Sequence, residues 1–248
     1  MSDPFRLDGR VALVTGANTG IGQAIALGLA RAGAEVVVAG RSSLDETMDL
    51  LAAEGLAGRP FRLALDAPVA AAARLAEAGP LDVLVNNAGI IRRADAVDFT
   101  EADWDDVIDV NLKATFFLAQ AFAKAAFARG AGGAIVNIAS LLSFQGGVRI
   151  PSYTASKHGV AGLTKLLACE WAARGINVNA VAPGYIETNN TEALRADPAR
   201  NRAILERIPA GRWGDPSDIA GAAVFLASPA ARYVHGTVIP VDGGWLAR

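Results

Sequence analysis

Residues Val11–Gly22 read VALVTGANTGIG. An apolar, β-branched run ends in a turn carrying Gly16, Gly20 and Gly22. Ile21, Ile25 and Leu29 then recur at helical spacing until Gly33 supplies a stop. A buried strand, a glycine turn and an amphipathic helix in direct succession are the opening of a βαβ unit, and the chain goes on repeating that order. EVVVAG is a second strand, followed by a polar helix over Leu44 to Ala53. RLALD is a third, short strand ending on Asp66, and LDVLVNNAG a fourth. Thr100 and Asp103 form a capping signal ahead of a long helix. GAIVNIAS is the fifth strand, Tyr153 to Ala173 the fifth helix, INVNAVAPG the sixth strand and TVIPVDGG the last. Pro216 and Ser217 open the final helix between them. The expected fold is α/β: a single Rossmann-like, doubly wound parallel sheet with helices on both faces, one domain over residues 1–248.

Bulk properties narrow the class. With 52% hydrophobic and 19% charged residues over 248 positions, the chain can build one large core and does not read as disordered. A formal net charge of −2 gives no electrostatic case for nucleic acid or an anionic membrane. No apolar signal core opens the sequence and no run of about 18 apolar residues crosses it, so a cytoplasmic location is expected. Cys169, beside Leu166, Leu167 and Ala168, reads as a buried structural thiol. His158 and His235 have no ligand partner at useful spacing, and no metal is expected.

The glycine turn spaces its residues G-x-x-x-G-x-G, unlike the usual G-x-G-x-x-G, but the physics is shared. Missing side chains let the backbone approach a pyrophosphate, which then lies against the amides and positive end of the helix. A ligand-free turn is the alternative; its place after the first strand favours a nucleotide. In an open parallel sheet, ligands sit outside the carboxyl ends of the strands. There the sequence has Gly16 to Gly22, Arg41, Asp66, Asn86 to Gly89, Ser140 and Pro183-Gly184, polar or glycine residues directly after apolar runs. An acid at the end of the second strand would bond a ribose 2′-hydroxyl. This chain has Gly40, Arg41, Ser42 and Ser43, chemistry that suits a 2′-phosphate, unless Arg41 is a solvated surface residue.

SYTASKHGV sets Tyr153 four positions before Lys157, on one face if the segment is helical. Alone, the pair reads as a phenol packed under a lysine stem. Set beside TGANTGIG, NNAG, Asn111, Ser140, YTASK and PG in this order, it resembles the classical short-chain dehydrogenases/reductases over essentially the whole chain. GIIRRADA, DWDDV, SFQGGVRIPSYTASK, APGYIETNNT, RIPAGRWG and VDGGWLAR are similar to one bacterial branch of that family. These are the 2-dehydro-3-deoxy-D-gluconate 5-dehydrogenases, also labelled 2-deoxy-D-gluconate 3-dehydrogenases. The resemblance implies hydride transfer between a nicotinamide and a hydroxyl or keto carbon of a sugar acid, by a homotetramer. It makes Tyr153 the acid/base, Lys157 its tuner and a holder of the nicotinamide ribose, and Ser140 a donor to the substrate oxygen. Asn111 would position a relay water. Free tyrosine, with a pKa of about 10, is a poor base at neutral pH, so Lys157 and an oxidised nicotinamide are expected to lower it. Cofactor contacts implied are Gly16, Asn18, Thr19, Gly20, Ile21, Gly22, Arg41, Ser42, Asp66, Asn86, Ala88, Gly89, Tyr153, Lys157, Pro183, Gly184, Ile186 and Thr188. The resemblance favours NAD, while Arg41 leaves NADP open.

A sugar acid carries a carboxylate, which arginine recognises in bidentate fashion. Arg92, Arg93 and Arg149 are candidates, with Gln145, Tyr185, Asn189 and Asn190 as partners for hydroxyls; each is also a residue type common on surfaces and in turns. The polar stretch 185–213 is long for a connection and reads as a substrate lid, packed by Trp213. Two other functions use the same residues. One is reduction of a different carbonyl, such as a 3-oxoacyl thioester; the other is NAD(P) sensing without turnover.

Overall fold

The computed structural model describes residues 3–248. The elements follow in chain order: β1 (Val11–Thr15), α1 (Gly20–Arg31), β2 (Glu35–Gly40), α2 (Asp45–Ala53), β3 (Gly58–Arg62), α3 (Pro68–Ala73), β4 (Val83–Asn86), α4 (Glu101–Ile108), α5 (Ala114–Ala128), β5 (Gly133–Ile138), α6 (Pro151–Trp171), β6 (Ile176–Pro183), α7 (Glu192–Ala196), α8 (Pro198–Leu205), α9 (Pro216–Ala227) and β7 (Val238–Val241). The seven strands form one sheet in the order β3-β2-β1-β4-β5-β6-β7, every pair parallel. The winding reverses between β1 and β4, and that reversal opens a crevice beyond their carboxyl ends.

Both faces of the sheet are buried, which is why its strands are continuously apolar rather than alternating. Ala12 and Val14 of β1, with Val36 and Val38 of β2, pack against Ile25 and Leu29 of α1 and Ile219 and Leu226 of α9. Leu13 and Val37, one residue along, face the opposite layer with Leu118 and Phe122 of α5 and Leu167 of α6. Each such leucine removed from water contributes about 2 kcal/mol. Helices α1 and α9 approach so closely that a methyl group at Gly28 would stand 3.0 Å from Ala220 Cβ.

Three expectations are corrected. The third strand is Gly58–Arg62, not Arg62–Asp66. Its pairing with β2 ends at Gly40–Arg62, with Leu63 N still donating to Gly40 O at 3.0 Å, so Leu63 and Leu65 stay buried beyond the strand, and Pro60 is tolerated because β3 is an edge. Cys169 is exposed. Leu167 and Ala168 turn inward on α6 while Cys169 follows the helix round to its outer face, so apolar neighbours in sequence do not share its environment. The long helix is also interrupted. Thr100 caps α4, its hydroxyl accepting from Asp103 N at 3.1 Å, but Asp109–Lys113 form a π-helical turn before α5.

The polar stretch between β6 and α9 holds the two short helices α7 and α8, the latter capped by Asp197, which accepts from Ala199 N and Arg200 N. Its own small core joins Ile204, Ile208 and Trp213 to Leu141 and Trp245. Among the described residues, no helix is long and apolar enough to cross a membrane.

Candidate active site

A cleft of about 850 Å³ lies over the β1/β4 reversal. Its floor is built by two turns locked together. Gly16 and Gly20 hold φ of +63° and +57°, and a Cβ at Gly22 would come within 2.2 Å of Gly16 O. The turn after β4 is stitched to this one. Asn87 Nδ2 donates to Thr15 O at 2.9 Å and Gly16 O at 3.2 Å, while Thr15 Oγ1 accepts from Asn87 N and Ala88 N. Asn18, Thr19, Gly20, Ile21, Gly22, Arg41, Ser42, Asp66, Ala88, Gly89, Pro183, Gly184, Ile186 and Thr188 all line this one cleft.

Asn86 does not. It points into the sheet, where Nδ2 donates to Asn137 Oδ1 at 2.9 Å, and strand alternation gives the cleft position to Asn87 instead. Glu187, Thr191 and Arg195 are cleft residues that sequence reading did not assign to the site, and Asn87, in the row after β4, was given no contact of its own; Asn190, a candidate partner for substrate hydroxyls, also lines the cleft. For Asn87, period-two alternation was the available signal; for Arg195 there was none.

Ser140 follows β5, its hydroxyl accepting from Leu142 N at 3.2 Å. Ser143 Oγ donates to Lys157 O at 2.7 Å, so the Ser140 loop is tied to α6, which carries Tyr153 and Lys157 into the cleft. Lys157, 4% exposed, donates from Nζ to Ile138 O at 2.6 Å and lies 5.6 Å from the Tyr153 ring centre. Burial pushes the lysine pKa down to about 8. Burial also pushes the Tyr153 phenol up, opposed by Ser140 and by the charge of Arg93. The Lys157 ammonium is turned to the backbone carbonyl of Ile138.

Asn111, 1% exposed, sits in the π turn outside the cleft lining. Its Oδ1 accepts from Ile90 N at 2.8 Å and its Nδ2 donates to Ile90 O and Ser156 Oγ, so the side chain clamps the segment that leaves the β4 turn.

The candidate substrate residues separate. Arg92 is paired with Asp103 and Asp106 of α4, and Arg149, at φ +64°, with Asp95. Gln145 Oε1 accepts from Trp245 Nε1 at 3.3 Å, and Tyr185 packs between Trp213 and Trp245. None of these four lines the cleft, and neither does Arg93. Arg93 donates to Asn190 O at 3.1 Å and is near enough to act on the phenol; Asn189 lines the cleft. Among the described residues, no group of three or more His, Cys, Asp or Glu is placed to hold a metal.

Comparison with known proteins agrees with this architecture. Residues 16–246 match the family model described as "Enoyl-(Acyl carrier protein) reductase". The 2-dehydro-3-deoxy-D-gluconate 5-dehydrogenase of Escherichia coli (strain K12) is 56% identical, over 98% of each chain. A chain from Agrobacterium tumefaciens, described provisionally as a 2-deoxy-d-gluconate 3-dehydrogenase with bound NADP, is 70% identical with a TM-score of 0.97 over 100% of both chains. A gluconate 5-dehydrogenase from Burkholderia cenocepacia J2315, in complex with NADP and tartrate, is 41% identical with a TM-score of 0.92, over 99% of this chain and 98% of that one. The chain belongs to the short-chain dehydrogenase/reductase family.

Proposed function

We propose that this protein is an NAD(P)-dependent dehydrogenase of a sugar acid of the 2-dehydro-3-deoxy-D-gluconate or 2-deoxy-D-gluconate type, built as one catalytic domain with residues 185–213 as its lid. The observation that carries the reading is the convergence of Ser140, Tyr153 and Lys157 on the cleft that the glycine turn opens. High identity to dehydrogenases of such acids supports the substrate class.

The residues present fit a dinucleotide. Gly16, Gly20 and Gly22 leave the backbone bare at the start of α1, where amides face a pyrophosphate. Arg41 stands on the rim with no carboxylate partner among the described residues, beside Ser42 and with no acid ending β2. That chemistry favours the 2′-phosphorylated cofactor, as do the relatives with bound NADP. When bound, the nicotinamide supplies or accepts the hydride. Tyr153 Oη exchanges the proton with the reacting oxygen and Ser140 Oγ donates a hydrogen bond to it. Lys157, charged at neutral pH, holds a cation beside the phenol, while Arg93 adds a second at the mouth. Arg93 is also the arginine of the three candidates with no carboxylate partner among the described residues, which makes it the reading's carboxylate ligand.

Assembly as a homotetramer and a cytoplasmic location follow from family likeness; gel filtration tests the first. Nicotinamide absorbance followed with both cofactors and a panel of sugar acids tests the function. Turnover confined to 3-oxoacyl thioesters would replace the substrate class, and binding without any turnover would leave a cofactor sensor.

A further inference from the structure

We propose that Arg195, carried on the lid by α7, is a further ligand of the cofactor's pyrophosphate, so that the lid brings a cation to the anion held by the glycine turn. The inference rests on the dinucleotide reading above.

Arg195 lines the same cleft as Gly16–Gly22. Its contacts within the chain are long: Nη1 to Glu187 Oε2 at 3.5 Å and Nη2 to Thr188 O at 3.4 Å. Its Nε is buried and has no acceptor among the described residues. A guanidinium whose donors are stretched or orphaned is one whose best partner is an oxygen anion outside the chain. Its position selects which anion. Thr188, whose carbonyl Arg195 reaches, sets its Cγ2 3.4 Å from where a Cβ of Gly20 would stand. The guanidinium is therefore one residue away from the first turn of α1, where the pyrophosphate lies in the proposed binding mode. Arg41 follows β2 and Arg93 lies near Tyr153, so neither of these arginines stands where Arg195 does. The pair with Glu187 is half exposed and long, a contact that an incoming phosphate displaces readily.

The test titrates the full chain with ADP-ribose, NADPH and adenosine 2′-monophosphate. Arg195→Gln is expected to weaken ADP-ribose and NADPH about ten-fold, the scale of one lost charge-assisted bond. Adenosine 2′-monophosphate should bind as before, and Arg195→Lys should recover part of the loss. The deficit should shrink as salt rises. Glu187→Gln should hold or improve ADP-ribose affinity, because it releases the guanidinium. If Glu187→Gln weakens ADP-ribose as much as Arg195→Gln does, Arg195 is a brace for its own loop and the proposal is wrong. Unchanged ADP-ribose affinity in Arg195→Gln, with a raised KM for the sugar acid, overturns it in favour of the substrate carboxylate. A wild-type chain that binds neither dinucleotide nor ADP-ribose overturns the dinucleotide reading itself, and this proposal with it.

Discussion

The floor of the cleft and its proposed lid solve the same problem, placing polar groups around one cavity, by opposite means. On the floor, parallel strands fix the directions and backbone atoms do most of the binding: Thr15, Gly16, Asn87 and Ala88 are joined by hydrogen bonds in which a main-chain atom always takes part. The lid has no strand to align it beyond one bridge between Ile186 and Gly214. It is held by side chains from distant segments: Arg207 over Trp245 at 3.9 Å, Tyr185 against two tryptophans, and Trp213 Nε1 donating to Asn201 Oδ1 at 2.7 Å. A backbone-built site tolerates little change but is spelled out locally. A side-chain-built one depends on partners far along the chain.

The contrast breaks most sharply at the chemistry. Tyr153→Phe should lower kcat by about 10³-fold, the usual scale of a lost acid/base, with dinucleotide affinity nearly intact in a fluorescence titration. Full activity in that variant would remove Tyr153 from the mechanism. Gly22→Ala puts a methyl within 2.2 Å of Gly16 O and 2.4 Å of Asn87 Nδ2. The floor cannot yield there, so dinucleotide binding should be lost and Tm should fall by about 5 °C. Trp245→Ala removes the centre of the lid cluster, about 3 kcal/mol of local stability. Amide exchange in residues 204–213 should then accelerate about 100-fold while β1 and β4 stay protected. Equal acceleration in both regions would mean the lid is not a separable unit.

The mildest effect is one of pH. The side-chain carbon resonance of Lys157, with its pKa lowered to about 8, should move near that pH. Since its folded pKa lies below the unfolded one, the buried ammonium costs stability below about pH 8. That cost fades as pH rises toward 10.5, the ordinary lysine value. Lys157→Met should therefore gain on the wild type at neutral pH and lose the advantage in alkali, as denaturation midpoints measured across that range would reveal.

What the sequence discloses follows the same division. The β1 turn, the β4 turn and the Tyr153–Lys157 pair were legible because strand alternation, glycine and helical spacing act over a few residues. Arg92 and Arg149 look equivalent to Arg93 in sequence. Only the fold supplies Asp103, Asp106 and Asp95, which occupy the first two. Asn111 reads as a polar residue in a helix, yet its amide is consumed by Ile90 across the chain. The strand at Gly58–Arg62 was hidden by a glycine and a proline that an edge position permits.

The π turn at Asp109–Lys113 carries one residue more than an α-helical ladder would need. Excising one of its residues other than Asn111 would let α4 and α5 fuse into one regular helix with their faces still in register, because the wide turn is what absorbs the extra residue. The pairs of Arg92 with Asp103 and Asp106 would survive, while the Asn111 amide would lose the turn that aims it at Ile90. A single-codon deletion would thus loosen the segment leaving the β4 turn and spare the helix packing on either side.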